Sequence, residues 1–183
     1  MYDFFNLETQ SIEKNFFCKN ASNVAKDLLA VVVFFSATSR EYIIVETEAY
    51  HAEDKDRQGK SICYGAKGPT QASAPLFKTP GTWCIYGGQL LLSVNSSNQA
   101  DNVLIKAIID ENGEIITSDG IAKEFHLYQK DDNSIYWQCH GSFSLCYESL
   151  KIIGKKQGNF NIKSKPRVRI NDSSEENYYI DLA

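Results

Sequence analysis

The chain has 183 residues, of which 43% are apolar, 23% charged and 12% aromatic, as in ordinary globular proteins. This length predicts a single domain over residues 1–183 whose core needs no cofactor or disulfide. The net charge of -4 argues weakly against a nucleic-acid partner, and the longest apolar run, LLAVVVFF at 28–35, is too short to span a membrane. The five cysteines form no C-x-x-C pair, so we expect a reducing, cytoplasmic location and no zinc site.

The first half of the chain predicts one helix and two hairpins. The first twenty residues mix aromatic and polar side chains and predict a short helix or a docking arm. Ser22 is a good N-cap for a short helix over NVAKDLLA at 23–30, where apolar residues recur at helical spacing. The runs AVVVFF and EYIIVETEA, joined by a turn at 37–40, predict an antiparallel hairpin. After a loop at 51–74, CIY and QLLLSVN flank two glycines and predict a second hairpin.

The second half of the chain predicts further strands and one more helix. VLIKAII at 103–109 and EIITS at 114–118 are predicted strands, and IAKEFHLYQK at 121–130 is a predicted helix. The stretch 134–153 is ambiguous strand material, and KPRVRI at 165–170 with YYIDL at 178–182 predicts a final hairpin. Strands dominate, so we predict an α+β domain with a curved, mostly antiparallel sheet, partly closed like a barrel, and a few helices.

Basic residues are concentrated in one segment of this acidic chain. From residue 151 to residue 170 there is no acid, and the seven cations are Lys151, Lys155, Lys156, Lys163, Lys165, Arg167 and Arg169. Such a segment could form a basic face that contacts phosphates. It could equally be a solvated strand that keeps the protein soluble, and the composition leaves both interpretations open.

Two acids interrupt the predicted strand IIVETEAY at 43–50. Side chains on a strand alternate between its faces, so one face is predicted to carry Ile44, Glu46, Glu48 and Tyr50. The opposite face is predicted to lie against the core and carries Ile43, Val45, Thr47 and Ala49. The first face becomes acidic and aromatic towards the following loop, as the wall of a pocket does.

The two acids allow three chemical interpretations. Same-face neighbours on a strand lie about 6.5–7 Å apart, which falls within the about 6.5–9.5 Å that separate the carboxylates of an inverting glycoside hydrolase. Both acids could instead only accept hydrogen bonds at the end of a strand. His51 and Asp54 could add metal ligands, although their spacing matches no common ligand pattern.

Several segments resemble one known family. The chain carries VETEAY at 45–50, APLFKTPGTWCIYGG at 74–88 and VLIKAI at 103–108 in that order. These segments resemble the alkyladenine (3-methyladenine) DNA glycosylase family, as do NVAKDLLA, KPRVRI and YYIDL. The resemblance covers residues 24–110 and 163–182, and it implies a single mixed α/β domain around a curved antiparallel sheet.

The resemblance also implies a function. It implies a monomeric, monofunctional DNA glycosylase of base excision repair that uses no cofactor or metal. The substrate would be an alkylated or deaminated purine in duplex DNA, flipped out because its N-glycosidic bond cannot be reached inside the stack. By match to the motif, Glu48 would be the general base that activates water for attack at C1′. Tyr50 would stack on the flipped base, and Glu46 would support the site.

The resemblance suggests further contacts with DNA. Lys106 occupies the position of a family arginine, and Tyr86 that of the tyrosine wedge that fills the space left by the flipped base. Cys63, with Tyr64 next to it, occupies the position of the family's base-contacting histidine. An extended KSKPRVR segment would place on one face a row of phosphate-contacting cations, namely Lys163, Lys165, Arg167 and Arg169.

The sequence also departs from the family pattern. The base-contacting histidine is absent, the hairpin around Tyr86 does not match in length, and SDG at 118–120 replaces an S-G-P element. Two hypotheses follow: a diverged glycosylase with an altered lesion preference, or a catalytically inactive DNA- or nucleotide-binding relative. The retained Glu48 and Tyr50 favour the first hypothesis, and the acidic net charge and missing histidine favour the second.

Overall fold

The structure is a computed structural model that describes residues 4–13, 15–70, 72–86, 88–96, 98–125, 128–131, 134–137, 150–167, 170 and 174–182, with only the backbone of 128–131 and 134–137. The strands and helices in these residues are, in chain order, β1 (Thr9–Gln10), α1 (Ala21–Asp27), β2 (Val31–Phe35), β3 (Arg40–Tyr50), β4 (Trp83–Tyr86), β5 (Gln89–Ser93), β6 (Asn102–Ile109), β7 (Ile115–Thr117), α2 (Ser118–Glu124), β8 (Tyr128–Asp131), β9 (Ser134–Trp137), β10 (Leu150–Lys156), β11 (Ile162–Lys165) and β12 (Asn177–Ile180). Short 3-10 turns occupy Phe4–Asn6, Phe16–Cys18 and Ala74–Phe77.

Ten of the described strands form one antiparallel sheet. Its main path runs β1-β10-β2-β3-β6-β5-β4, while β7 pairs with β6 and β12 pairs with both β3 and β11. The strands β8 and β9 pair only with each other in the described residues. In the described residues the path ends at β1 and β4 without closing, so the predicted partial closure into a barrel was wrong. The predicted α+β class with a mostly antiparallel sheet is confirmed.

Strand β3 lies at the centre of the sheet. One of its edges pairs with β6 from Ile43 to Tyr50. Its other edge is shared, because β2 pairs with residues 40–43 and β12 pairs with residues 46–48. The acidic half of β3 therefore lies between β6 and β12, two strands that are far apart in the sequence.

The register of β3 and β6 is irregular beside Glu46. The pairing shifts between Ile44 and Glu46 and again between Glu46 and Thr47, and both Ile44 and Val45 are buried. Strict alternation, which placed Ile44 with Glu46 and Val45 opposite, therefore does not hold through this point. Such irregularities are common next to active sites, where they redirect a side chain.

The predicted core face of β3 is confirmed beyond this irregularity. Thr47 is fully buried and donates its hydroxyl to the carbonyl of Ala25 in α1 at 2.8 Å. Helix α1 thus covers one face of β3, and Glu48 faces the other way. The main core joins α1 to β2, β3 and β6, and a smaller apolar cluster lies around Tyr50 and Leu104. In the described residues, none of the helices is long and apolar enough to cross a membrane.

Both predicted hairpins in the first half are confirmed as β2–β3 and β4–β5. The PGT segment before β4 needs its glycine, because Gly81 has φ +91°. A Cβ added at Gly81 would also come within 2.8 Å of the Phe17 ring. The hairpin therefore packs closely against the 3-10 turn Phe16–Cys18 near the start of the chain.

Both helices begin earlier than predicted. The N-cap of α1 is Asn20, whose side chain accepts from the Asn23 N–H at 2.9 Å. The prediction of Ser22 as the cap was wrong, and its hydroxyl instead donates to Glu176 at 2.8 Å. Helix α2 begins at Ser118 and ends at Glu124. The predicted continuation to residue 130 was wrong, since Tyr128–Asp131 pairs with β9 as a strand.

The last hairpin is also displaced from its predicted position. Strand β11 covers Ile162–Lys165 and pairs with β12 at Asn177–Ile180. It ends before Pro166, because proline has no N–H to donate to a strand partner. The predicted strand KPRVRI was therefore wrong. The segment that pairs with Tyr178–Ile180 is Ile162–Ser164, which lies before it, and residues 168–169 lie outside the described residues.

Candidate active site

A pocket opens on the face of β3 and β6 that is turned away from α1. Its volume is about 450 Å³. Its wall is built from β3, β5, β6, the start of α2 and two loops, through Glu46, Glu48, Tyr50, Tyr64, Gln89, Leu104, Lys106, Thr117, Ser118, Asp119 and Ile170. The two acids in question thus lie in a cavity large enough for a small aromatic molecule.

Glu48 is the most deeply placed acid of this pocket. It is 1% exposed, and both carboxylate oxygens accept from protein groups. The Tyr50 hydroxyl donates to Oε2 at 2.9 Å, and the Asn177 Nδ2 donates to Oε1 at 3.1 Å. The Lys106 Nζ lies 3.8 Å from Oε1. A buried carboxylate requires such donors and a nearby cation, since burial otherwise destabilises its charge.

Glu46 is held by two donors at one oxygen. Its Oε1 lies 2.9 Å from the Lys165 Nζ and accepts from the Asn177 Nδ2 at 2.9 Å. A single amide nitrogen therefore contacts both acids, and the two Oε1 atoms lie at most about 6 Å apart. This is shorter than the about 6.5–9.5 Å of an inverting glycosidase pair, so the inverting two-carboxylate interpretation loses support.

Tyr50 links the acid to an aromatic wall. Its ring meets Tyr64 edge-on at 5.0 Å, and the Arg167 guanidinium lies 4.9 Å from its centroid. Burial raises the pKa of Tyr50 far above its usual value, and the neighbouring Tyr64 and Glu48 raise it further. The hydroxyl therefore stays protonated and donates to Glu48.

The aromatic wall continues through Tyr64 to Tyr86. The Tyr64 and Tyr86 rings meet edge-on with centroids 5.5 Å apart, and the Tyr64 hydroxyl donates to Oε1 of Gln89. Burial raises the pKa of Tyr64 to about 12. The pocket thus combines aromatic edges with a carboxylate at its base, which suits a flat, polar ring compound.

Comparison with known families gives a decisive match. A family model described as methylpurine-DNA glycosylase (MPG) matches residues 15–121, which is more than half of the 183-residue chain. The chain belongs to the methylpurine-DNA glycosylase family. The comparison with curated proteins found no match. Membership of this family supports a DNA glycosylase role in DNA repair.

The match with methylpurine-DNA glycosylases covers the pocket. All of its lining residues except Ile170 lie between residues 15 and 121. The resemblance over 24–110 is thereby confirmed. The match does not extend to 163–182, where the resemblance stays a prediction, although β12 supplies Asn177 to both acids.

Five of the predicted site residues line this one pocket, namely Glu46, Glu48, Tyr50, Tyr64 and Lys106. Tyr86 lies at its aromatic end, in contact with Tyr64. Their roles in a glycosylase reaction stay predictions. Cys63 does not line the pocket: it is 6% exposed, its thiol donates to the Ala100 carbonyl at 3.2 Å, and burial raises its pKa to about 11. Tyr64, its neighbour, is the residue at this position that can reach a ligand.

The four predicted phosphate contacts do not form one exposed row. Lys163 is exposed and pairs with Asp181, and Lys165 pairs with Glu46. Arg167 is 4% exposed and donates to Asp54 at 2.7 Å and to the Ala49 carbonyl at 2.6 Å. It therefore lies beneath the pocket wall rather than on the surface. Arg169 lies outside the described residues.

The metal-site interpretation finds no geometric support. Among the described residues, no three His, Cys, Asp or Glu side chains are grouped to hold a metal ion. The His51 ring nitrogen Nε2 lies 2.9 Å from the Ser22 hydroxyl. Asp54 instead accepts from the His51 backbone N–H at 3.0 Å and from Arg167. These two side chains thus hold the loop after β3 in place.

Two polar residues that contact the site were not predicted from the sequence. Asn177 precedes the predicted strand at 178–182, yet it begins β12 opposite Glu48 and is fully buried behind the pocket wall. Gln89 directly follows the glycine pair, where only a strand start was predicted. A buried amide at the first position of a strand gives no sequence signal of its own, because its partners are about 130 residues away in the chain.

Proposed function

We propose that the protein hydrolyses the N-glycosidic bond of an alkylated or deaminated purine flipped out of duplex DNA, as a monomer without a cofactor. The observation that carries this proposal is the position of Glu48, a buried carboxylate at the base of an aromatic pocket in a member of the methylpurine-DNA glycosylase family. A flipped base is read between aromatic side chains in such a pocket, out of reach of the duplex stack.

Glu48 acts in this proposal as the general base. A general base must reach the attacking water within hydrogen-bond distance. The Tyr50 and Asn177 donors fix the carboxylate, so that a water bound on its pocket side is directed at C1′ of the extruded sugar. Charge that develops on the sugar in the transition state is then stabilised by the same carboxylate.

A single acting carboxylate suits purines that already leave easily. An alkylated purine carries positive charge and departs without an acid, whereas hypoxanthine needs protonation or hydrogen bonds at its ring. Gln89 and Asp119 lie in the wall and offer polar groups for such contacts. Glu46, paired with Lys165, serves as support in this scheme rather than as a second catalyst.

A second candidate function is an inactive DNA- or nucleotide-binding relative. Two observations favour it: both Glu48 oxygens already accept protein hydrogen bonds, and Tyr50 is 2% exposed, between Tyr64 and Arg167. For a base to stack on Tyr50, Tyr64 or Arg167 must move. An active enzyme has to make that movement upon binding DNA.

The deciding experiment incubates the protein with duplexes that contain methylated adenine, ethenoadenine or hypoxanthine and scores abasic sites. Release by the parent protein but not by Glu48→Gln supports the proposal. Duplex binding without release from any lesion favours the inactive relative, and failure to bind duplex DNA contradicts both the glycosylase and a DNA-binding relative. A Glu46→Gln loss as large as that of Glu48→Gln would restore the two-carboxylate mechanism.

A further inference from the structure

Lys106 places a primary amine in the pocket beside the proposed base. It projects from β6 between Ile105 and Ala107, which are both buried. Its side chain is 16% exposed, and its Nζ lies 3.8 Å from Oε1 of Glu48. The buried neighbours fix the strand, so that the amine stays on the pocket side.

We propose that Lys106 gives the protein a second activity, cleavage of the DNA strand at an abasic site through a Schiff base, which departs from the monofunctional enzyme that the family resemblance implies. The inference rests on the proposed function, because the sugar that base release would leave next to Glu48 is the substrate of this second step. Lysine amines form Schiff bases with carbonyl substrates when they can lose their proton. An ammonium group close to a carboxylate has a proton acceptor within a small side-chain movement.

The chemistry balances without an oxidant or reductant. The abasic deoxyribose opens to an aldehyde at C1′, and the neutral Lys106 amine adds to that carbon. One water is then lost, made from the aldehyde oxygen, one amine proton and the proton that the Lys106 ammonium had given to Glu48, which leaves a protonated imine and an ionised Glu48. Glu48 takes a proton from C2′, and the C–H electrons form a double bond while the 3′ phosphate leaves with the electrons of its C–O bond.

Turnover then needs only water. Hydrolysis of the imine returns the Lys106 amine and leaves an unsaturated aldehyde on the 3′ end of the cut strand. The proton on Glu48 passes to solvent. The proposed glycosylase mechanism places Glu48 at the reacting sugar, and the Lys106 Nζ lies 3.8 Å from its Oε1.

The identity of the residue at position 106 decides whether this chemistry is possible. A guanidinium is permanently protonated and delocalised and forms no imine with an aldehyde, whereas an amine can. The family resemblance places an arginine at this position. Lysine here therefore changes a fixed cation into a group that can act as a nucleophile.

A simple ion pair with Glu48 is the alternative role for Lys106. An ion pair needs only the positive charge, which arginine would retain. A Schiff base needs the amine itself. The variant Lys106→Arg thus separates the two roles, and its unfolding midpoint in urea checks that the protein remains folded.

The test uses a duplex with a preformed abasic site, made by enzymatic removal of uracil, and borohydride to reduce the imine. With borohydride, we expect a covalent protein–DNA adduct whose attachment site maps to Lys106 by mass spectrometry. Without borohydride, we expect a nick in the DNA strand. Lys106→Arg should lose both. The matched control Lys151→Arg, on β10 away from the pocket, should keep both. An adduct mapped to another amine, or none from folded protein that binds the duplex, would overturn the inference.

The preformed abasic site keeps this test separate from the proposed function. Adduct formation at Lys106 together with absent base release would contradict the glycosylase proposal and support the lyase step. Base release without any adduct would support the glycosylase proposal and contradict the lyase step. Neither outcome can be mistaken for the other, because the uracil-derived duplex contains no damaged purine.

Discussion

Asn177 donates one amide nitrogen to two carboxylates, while its own carbonyl oxygen is buried without a hydrogen-bond partner in the described residues. A 180° turn of the side-chain amide would exchange its nitrogen and oxygen. The oxygen would then face the Glu46 and Glu48 carboxylates, which are also hydrogen-bond acceptors. The orientation is therefore set by the two acids.

The Asn177 geometry predicts the ranking of two variants. Asn177→Asp would bring a third carboxylate against Glu46 and Glu48, whereas Asn177→Ala only removes a donor. We expect the aspartate variant to lose several kcal/mol, because a buried unpaired charge is strongly destabilising, and the alanine variant to lose about 1–3 kcal/mol. Urea unfolding at neutral pH measures both. Equal stability of the two variants would show that Asn177 does not bridge the acids.

Only part of this site could be predicted from the sequence. Alternation along β3 predicted that Glu46, Glu48 and Tyr50 share a face, because that property is local to one strand. The Asn177 bridge depends on β12 pairing with β3, and no local pattern encodes which distant strand will be the neighbour. The burial of Arg167 was missed for the same reason, since its partner Asp54 lies in a loop about 110 residues earlier.

At the scale of elements, the turn between β6 and β7 shows how a short loop is fixed. Asp110 Oδ1 accepts from the backbone N–H of Asn112 at 3.0 Å and of Glu114 at 2.8 Å, and Oδ2 accepts from Arg40 at 2.7 Å. Burial acts to raise the pKa of Asp110, but these hydrogen bonds outweigh it and the pKa is lowered. The turn thus ties the loop before β7 to Arg40 at the start of β3.

This lowered pKa predicts how the stability of the turn depends on pH. A carboxyl whose pKa is lowered by folding stabilises the folded state at pH values above the pKa that it has in the unfolded chain. That contribution is lost as the pH falls through the pKa of the folded protein. We expect the parent protein to have a larger free energy of unfolding than Asp110→Asn at pH 7. We expect this difference to shrink when the pH falls below 3.8, the ordinary pKa of an aspartate. Urea unfolding at pH 7 and below pH 3.8 measures the difference. A pH-independent difference would mean that the ionised carboxylate does not hold the turn.

The elements themselves were largely predictable. The β2–β3 and β4–β5 hairpins and β6 followed from runs of β-branched and aromatic residues bounded by turn residues. Element ends were less predictable, because they depend on tertiary partners: Phe125 at the end of α2 packs edge-on against Tyr42 at 5.0 Å. The end of β11 at Pro166 is an exception that the sequence contained, since proline cannot continue the pairing.

At the scale of the whole molecule, an acidic protein has to approach an acidic polymer. Local cations must outweigh the net charge of -4 at the contact surface. Lys163 lies on the exposed face of β11, close in sequence to Lys165 at the pocket rim. Arg167 is 4% exposed, so its charge is not available at the surface.

This distribution predicts the salt dependence of DNA binding. Lys163→Ala should reduce the slope of log affinity against log salt by about 0.9, the value for one released counterion. Lys151→Ala, on β10, should leave the slope unchanged. Fluorescence anisotropy with a labelled duplex over a range of salt concentrations measures both. Equal slopes for the parent and Lys163→Ala would remove β11 from the DNA contact.

The central claim is that Glu48 performs base release in this pocket. The most direct test measures single-turnover release of a damaged purine by the parent, by Glu48→Gln and by Glu41→Gln, a matched change on the same strand outside the pocket. Loss of a general base slows a reaction by about 10²–10⁴-fold, so Glu48→Gln should fall by that factor while Glu41→Gln keeps the parental rate. Release by Glu48→Gln at the parental rate would contradict the account.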